Sequence, residues 1–362
     1  MRISRPAFYA LGVTAAAGLL AACSGGGSPS SALAPATGMN SYSLGHVPAL
    51  KDHVTLTARI SKPLHPNHHK SWVSPDAKNA PRLLFISDDG TNTVDIFKMP
   101  SVAPKLVGVL TDFSEPQGMC TDASGNIWVT NTGTDQIIQI SRTGTTLATL
   151  SDPTGFPVGC AVNKKTGDLA VTNIIDNSGN GEILVYANAT GTPQQFTSPD
   201  VFEFFFPAYD NAGNLYADGE GSFGYALTEL PSGSTTLQDV AISGGTLFFP
   251  GGINWDTATS SLALGDQECN GGAASCVYSA TVSGGTATIN GVTDLLDSSG
   301  GTAFDADQLT IGPGGKFLAG GTISEDSALP AANRWLYPAG GDPTNSNTSD
   351  ISEPIGAAIS SK

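Results

Sequence analysis

The sequence predicts an all-β protein built from repeated short strands. Three observations support this prediction: glycine is abundant, charged residues are few, and short apolar runs alternate with turn residues from Arg82 onward. Glycine accounts for 44 of the 362 residues, and charged residues for only 13% of them. This composition is not that of a coiled coil or a collagen, and 40% hydrophobic residues exclude a disordered chain.

The first residues predict export from the cytoplasm. Two arginines precede an apolar stretch over 7–20 that is too short for a lasting membrane span, and Leu-Ala-Ala-Cys-Ser follows it. This ending resembles the lipobox of bacterial lipoproteins. The resemblance implies that 1–22 is a removed signal peptide and that Cys23 carries the lipid. Ser24 resembles the pattern that sorts such proteins to the outer membrane in cells that have two membranes.

Two segments separate Cys23 from the repeats. Residues 23–45 are rich in Gly, Ser, Pro and Ala and predict a flexible tether. Residues 46–80 form an N-terminal arm, in which we expect Trp72 to pack against the following domain. The arm contains all five histidines, namely His46, His53, His65, His68 and His69. They could ligate a metal, but their spacing matches no rigid site, so an exposed polar segment is the simpler interpretation.

A repeated unit runs through the rest of the chain. It reads PQGMCTDASGNIWVTN from Pro116, recurs over 157–173, 250–266 and 309–320, and recurs weakly over 210–218. Each unit predicts a strand, a tight turn with Asp, Asn or Gly, and a second strand, and two more strands follow in most units. Four short strands per unit are typical of one blade of a β-propeller.

The two ends of the repeat region complement each other. Residues 354–360 resemble the first strand of a blade, but no second strand follows them. Residues 82–90 resemble the second strand of a blade, but no first strand precedes them. Pairing them completes one blade and predicts a six-bladed β-propeller over 81–362, closed by the C-terminal strand. Closure would also protect strand edges. A seven-bladed ring and a β-sandwich with similar turns remain alternatives.

The repeat resembles the NHL-repeat and gluconolactonase-like six-bladed propellers. The shared pattern is P-x-G-x-x-x-D-x-x-G-N, followed by an aliphatic residue, Trp or Tyr, and a strand ending in Asn or Asp. It covers nearly all of the chain beyond the tether. The resemblance implies the fold, whereas propellers with this fold carry many unrelated functions.

Four further cysteines predict two disulfides, because an exported chain meets an oxidising environment. Cys269 and Cys276 flank a Gly-rich hairpin tip and could form a local bridge. Cys120 and Cys160 occupy nearly the same place in consecutive innermost strands, so a bridge between blades is plausible, although they are offset by one register position.

The second strands end on polar residues that would surround the mouth of the central channel. They are Asp88, Asn131, Asn173, Asp218 and Asp266, with Gly321 in the sixth blade. Such oxygens could bind a sugar or a divalent cation. The gluconolactonase-like resemblance implies one metal ion, Ca²⁺ or Zn²⁺. The alternative is that each side chain caps the turn that follows it. The aromatic run 202–206 around Glu203 predicts a buried inner strand or, alternatively, an apolar lip on the channel.

Missing residue types exclude several functions. No histidine follows Lys70, so a Ser-His-Asp or Cys-His arrangement cannot form within the propeller. Residues 81–362 contain 30 acidic and 9 basic side chains, so a nucleic-acid partner is excluded. This charge would attract a cation, a cationic ligand or a basic partner. The alternative is that it serves only solubility at the cell surface. The sequence therefore predicts a lipid-anchored, extracytoplasmic module of the bacterial cell envelope that binds a protein or small-molecule ligand. A metal-dependent hydrolase or lactonase using the Asp/Asn ring is the alternative.

Overall fold

The computed structural model describes residues 70–99, 104–175, 179–272, 274–323 and 329–362. The predicted signal peptide, the lipidation site Cys23, the tether and the five histidines lie outside these residues. No helix in the described ranges is long and apolar enough to span a bilayer.

The strands form six sheets, which are the six predicted blades. Blade 1 contains β1 (Trp72–Val73), β2 (Arg82–Asp88), β3 (Thr93–Met99), β4 (Lys105–Leu110) and the C-terminal β26 (Pro354–Ser361). Blade 2 contains β5 (Pro116–Thr121), β6 (Ile127–Asn131), β7 (Gln136–Ile140) and β8 (Thr146–Ser151). Blade 3 contains β9 (Pro157–Val162), β10 (Leu169–Asn173), β11 (Glu182–Tyr186) and β12 (Gln194–Phe196).

The remaining three blades follow the same order. Blade 4 contains β13 (Val201–Tyr209), β14 (Leu215–Gly221), β15 (Gly224–Leu230) and β16 (Gln238–Asp239). Blade 5 contains β17 (Ala241–Ser243), β18 (Pro250–Asp256), β19 (Ser261–Glu268), β20 (Ala274–Ser283) and β21 (Thr286–Asp294), and β17 pairs parallel to β21 at its outer edge. Blade 6 contains β22 (Leu309–Ile311), β23 (Phe317–Thr322), β24 (Ala331–Leu336) and β25 (Asn345–Asn347).

Helices are short. The described residues contain α1 (Pro75–Asn79), α2 (Cys269–Gly272) and two 3-10 turns, Thr132–Thr134 and Ala187–Ala189. The N-cap of α1 is Ser74, whose side chain accepts a hydrogen bond from the Asp76 amide. Trp72 in β1 pairs with Val109 of β4, so the last residues of the arm extend the sheet of blade 1, as expected.

The C-terminal strand closes the ring. β26 pairs antiparallel with β2, with Leu84 opposite Ile359 and Asp88 opposite Pro354. Seven of the eight residues of β26 are buried. The prediction that the last strand completes the first blade is therefore confirmed, together with the six-bladed count.

The described residues form six apolar clusters, five of which lie between two neighbouring blades, while the sixth packs blades 4 and 5 together with Val158 and Ile174 of blade 3. Strand β2 shows how one strand serves two clusters: Leu83 and Phe85 pack towards blade 2, whereas Leu84 and Ile86 pack towards blade 6. Successive side chains of a strand point to opposite faces of its sheet. Neighbouring blades cover both faces of each blade. The second strands therefore contain runs of apolar residues and do not alternate regularly between apolar and polar residues.

The two ends of the channel differ. We call the end where innermost strands begin and second strands end the loop face, because the links between blades arrive there. The opposite end, where innermost strands turn into second strands, is the hairpin face. Its turns follow the repeat: in blade 2, Asp122 accepts hydrogen bonds from the Ser124 and Asn126 amides, and Asp210 accepts the equivalent pair in blade 4.

Two disulfides are present, Cys120–Cys160 and Cys269–Cys276. The first joins innermost strands β5 and β9, and therefore joins blade 2 to blade 3. The second closes the short segment between β19 and β20. Both pairings agree with the sequence analysis.

Candidate functional site

The structure places the predicted Asp/Asn ring on the loop face, and all five side chains are buried. Asp88, Asn131 and Asn173 are the last residues of their second strands, as predicted. In blades 4 and 5 the second strands continue past Asp218 and Asp266, to Gly221 and Glu268.

Two ring members hold the chain that enters their own blade. Asp88 accepts hydrogen bonds from the Ser352 and Glu353 amides, at 2.7 and 3.0 Å, just before β26 begins. Asp266 accepts the equivalent bonds from Phe248 and Phe249, at 2.9 and 3.0 Å, just before β18 begins. Each carboxylate therefore satisfies two amides that the sheet leaves unpaired at the start of an innermost strand.

The other members act in the same way. Asn131 accepts a hydrogen bond from the Ser114 amide at 2.8 Å, and Asp218 accepts one from the Phe206 amide at 2.7 Å. Asn173 donates to the Thr154 hydroxyl at 3.0 Å in the link that leads to β9. The turn-capping alternative also holds in part, because Asp88 additionally accepts from the Thr91 amide at 3.2 Å in its own turn.

Burial controls the charge of these carboxyl groups. It raises the pKa of Asp88, of Asp266 and, most strongly, of Asp218, and hydrogen bonds from backbone amides offset part of the effect. The Asp218 and Asp266 charges both act on the buried hydroxyl of Tyr225 and contribute to its raised pKa.

The ring does not fit a divalent cation. A Ca²⁺ site needs six to eight oxygen ligands and a Zn²⁺ site about four donors, converging on one point. Both carboxylate oxygens of Asp88 and of Asp266 instead accept hydrogen bonds from backbone amides, and one side-chain oxygen each of Asn131 and Asp218 does the same. The remaining oxygens, Asp218 Oδ2 and Asn173 Oδ1, are buried without a hydrogen-bond partner, and two such oxygens are too few for either ion. In the part of the chain that the structure describes, no three His, Cys, Asp or Glu side chains are grouped to hold a metal ion. No reaction step through a metal follows from this geometry.

A cavity of about 600 Å³ opens on the hairpin face instead. All six innermost strands contribute to its wall, and none of the five ring residues lines it. The carboxylates at its rim are occupied: Asp122 and Asp210 cap their turns, and Asp256 accepts from the Ala258 amide and the Thr259 hydroxyl. The exposed Lys164 also lies at the rim. The cavity is not recognisable in the sequence, because its wall residues come from six distant segments.

Gln308 lines this cavity. Its side-chain oxygen accepts hydrogen bonds from the amides of Met119 and Ala357, at 2.8 and 3.0 Å, and its side-chain nitrogen donates to the Met119 carbonyl at 3.1 Å. One buried amide group therefore links the innermost strands of blades 1 and 2 to the segment before β22. No pattern in the sequence marks Gln308 for this role.

A carboxyl pair lies on the loop face of blade 4. Glu203 of β13 is directly opposite Glu220 of β14. Burial, the nearby charge of Glu220 and a hydrogen bond between the two groups raise the pKa of Glu203 to about 8. The pair therefore shares a proton at neutral pH. The surrounding aromatic run is mainly a buried inner strand, as the sequence predicts, although Phe202 remains 38% exposed.

Comparisons with solved structures support the fold. A chain of a nidogen/laminin complex matches with a TM-score of 0.56 at 12% identity, over 77% of this chain and 98% of that one. A protein of unknown function from Bacteroides caccae matches with a TM-score of 0.57 at 12% identity, over 78% and 100%. TolB from Acinetobacter baumannii matches with a TM-score of 0.51 at 14% identity, over 78% and 67%.

These likenesses concern architecture alone, because the identities are low. No protein-family model matches the chain. No curated protein matches it in sequence. Its function must therefore be argued from its own residues.

Proposed function

We propose that the protein is a binding module of the bacterial cell envelope, anchored by a lipid on Cys23 and displayed outside the cytoplasm. The lipobox-like ending of the signal segment supports the anchor. Two disulfides support an oxidising compartment, since thiols stay reduced in the cytosol of most organisms. The tether composition suits a spacer between membrane and propeller.

One observation favours binding over catalysis. The Asp residues nearest the channel mouth on the loop face hold the backbone of their own blades through hydrogen bonds, so these carboxylates are not directed at a substrate. The cavity on the hairpin face has a volume within the range of small-ligand sites. The carboxylates at its rim accept hydrogen bonds within their own turns. The cavity therefore offers a surface for binding and not a group of catalytic residues.

A protein partner also suits the fold. One similar structure is that of a complex of nidogen with laminin. We therefore propose that this propeller binds a protein or a small ligand and carries out no hydrolysis.

Metal uptake and lactone turnover test this proposal together. The purified protein is titrated calorimetrically with CaCl₂ and with ZnCl₂, and hydrolysis of glucono-δ-lactone is followed in the same samples. We expect no stoichiometric ion at the loop face and no turnover above the uncatalysed rate. A bound ion that is lost in both Asn173→Ala and Asp218→Ala, with turnover lost in parallel, would establish the metal-dependent lactonase instead.

A further inference from the structure

The charge of the propeller is distributed unevenly along the chain. Residues 166–315 contain no Lys, Arg or His, but contain 12 Asp and 5 Glu. This segment includes all of blades 4 and 5. These two blades therefore have no cationic side chain of their own to balance their carboxylates.

Three exposed phenylalanines lie on the loop face of the same two blades. Phe202, Phe223 and Phe248 are 38%, 105% and 42% exposed, and we call them the Phe patch. Their neighbours in sequence, such as Phe204 and Phe249, are buried in the core. The core of these blades is thus complete without the Phe patch, and large exposed aromatic side chains on an otherwise polar face are typical of interaction sites.

Phe223 has no structural reason to be aromatic. It lies in the two-residue loop between β14 and β15, where Gly221 pairs with Gly224. The residue with a positive φ in this turn is Gly224, so the backbone sets no requirement for the side chain at Phe223. The fully exposed Phe223 does not pack against the rest of the protein. Because it lies at the tip of the β14–β15 hairpin, a partner protein can contact it.

The three side chains belong to one surface. Phe202 precedes Glu203, and Glu203 pairs with Glu220, three residues before Phe223. Phe248 directly precedes Phe249, which packs in the same apolar cluster as Phe206 and Tyr225 of blade 4. The Phe patch therefore spans the boundary between blades 4 and 5.

Several carboxyl groups of these two blades lie in like-charged pairs. Burial raises the pKa of Glu268, and the nearby charge of Asp266 raises it further. Asp239 shows the same behaviour beside Asp200 at the outer edge of blade 4. Asp200 and Asp239 are exposed, and Glu220 and Glu268 are half-buried, whereas Glu203 is buried and keeps its proton at neutral pH. The accessible carboxylates make the surface of these blades anionic, so an added cation would relieve their repulsion.

We propose that the Phe patch docks a basic segment of a partner protein, in which Lys or Arg side chains alternate with apolar ones. The apolar side chains would cover the phenylalanines, and the cations would meet the carboxylates and the ring faces. Charge complementarity selects this partner. A second copy of this acidic face would be repelled, and so would an anionic lipid surface. The inference deepens the proposed binding function by naming a face and a partner chemistry.

Fluorescence anisotropy with defined peptides tests the proposal. The probe is a labelled peptide of Lys, Arg and Leu, and the control peptides replace either the basic residues with Glu or the Leu residues with Ser. The protein variant is Phe202→Ser/Phe223→Ser/Phe248→Ser. The matched control is Leu147→Ser/Leu336→Ser, which removes side chains of similar exposure, 50% and 47%, away from the loop face of blades 4 and 5.

We expect the wild type to bind the basic, apolar peptide and neither control peptide. The triple variant should bind at least about tenfold more weakly, and salt near 1 M, where the Debye length is about 3 Å, should weaken wild-type binding. The Leu variant should bind as the wild type does. Because Phe223 is fully exposed, Phe223→Ser alone provides a variant whose folding is not at risk.

Three results would overturn the proposal: no wild-type binding, equal loss in the Leu variant, or undiminished binding in the triple variant. Binding to phosphatidylcholine vesicles that is lost in the triple variant would assign the patch to lipid instead. The metal and lactone assay does not involve the Phe patch. Failure of this inference is therefore distinguishable from failure of the proposed binding function.

Discussion

At the residue scale, Asp88 shows how one side chain holds a blade together. It accepts hydrogen bonds from three amides while fully buried, and two of these amides lie more than 260 positions away in sequence. An unpaired buried amide costs about 1–3 kcal/mol. The recurrence of Asp or Asn at the ends of second strands is therefore explained by strand placement as well as by turn capping. The sequence predicted the strand end correctly for Asp88, Asn131 and Asn173, whereas β14 and β19 continue past Asp218 and Asp266. The amides involved were not visible in the sequence.

Glu203 provides a residue-scale prediction about pH. In the folded protein it keeps its proton up to a pH of about 8, whereas the ordinary pKa of 4.5 applies in the unfolded chain. Between these values the folded state binds more protons, so the free energy of unfolding falls as pH rises through this window. Replacing Glu203 with Gln removes this contribution. We expect Glu203→Gln to retain more of its stability than the wild type as pH rises from about 5 to about 9.

Thermal unfolding of the two proteins across that pH range measures the difference. The wild type will keep some dependence on pH in the same direction, because burial also raises the pKa of Asp95 and Asp218. Parallel profiles for the wild type and Glu203→Gln would show that Glu203 titrates normally.

At the element scale, close packing between neighbouring blades explains the glycine of the repeated unit. The glycine of the P-x-G unit, Gly118 in blade 2, lies against the backbone of Val158 in blade 3, where a Cβ atom has no room. Gly159 of the next unit meets the Phe205 carbonyl in the same way. Innermost strands approach so closely around the axis that only glycine fits at this position. The repeat was readable from sequence, but this contact required the neighbouring blade.

The two disulfides provide an element-scale prediction. The Cys120–Cys160 bridge spans 40 positions and Cys269–Cys276 spans 7. In the chain-entropy view, a bridge stabilises by restricting the unfolded chain, by about 4 kcal/mol for the long loop and about 2–3 kcal/mol for the short one. We expect Cys120→Ser/Cys160→Ser to lose more stability than Cys269→Ser/Cys276→Ser.

Urea unfolding followed by tryptophan fluorescence compares the variants. Trp128 belongs to the same apolar cluster as Cys160 and reports on the boundary of blades 2 and 3. Equal losses, or a larger loss in the Cys269 variant, would contradict the expectation that loop length governs the effect.

At the scale of the whole molecule, stability depends on closing the ring. β26 is the innermost strand of blade 1 and supplies residues to two of the inter-blade clusters. β1 lies at the outer edge of the same blade, and both of its residues are only half-buried. Deleting 354–362 should therefore abolish cooperative unfolding, whereas a chain that begins at Ser74 should retain it.

Near-UV circular dichroism and thermal unfolding distinguish the two truncations. The first leaves β2 with an unpaired edge beside the channel, which also favours aggregation. If the chain without β26 unfolded cooperatively near the wild-type midpoint, the closing strand would not be needed for the fold.

The sequence alone determined the fold class, the strand pairs, the six blades and their closure, because these follow from local turn chemistry and from a repeat that can be counted. It also restricted the chemistry, since a missing histidine is visible without coordinates. Only the tertiary structure decided what the polar ring holds, where the cavity opens, and that three phenylalanines share a face with unbalanced carboxylates. These features depend on distances between segments far apart in the chain, and side-chain exposure is set by neighbours that no local pattern specifies.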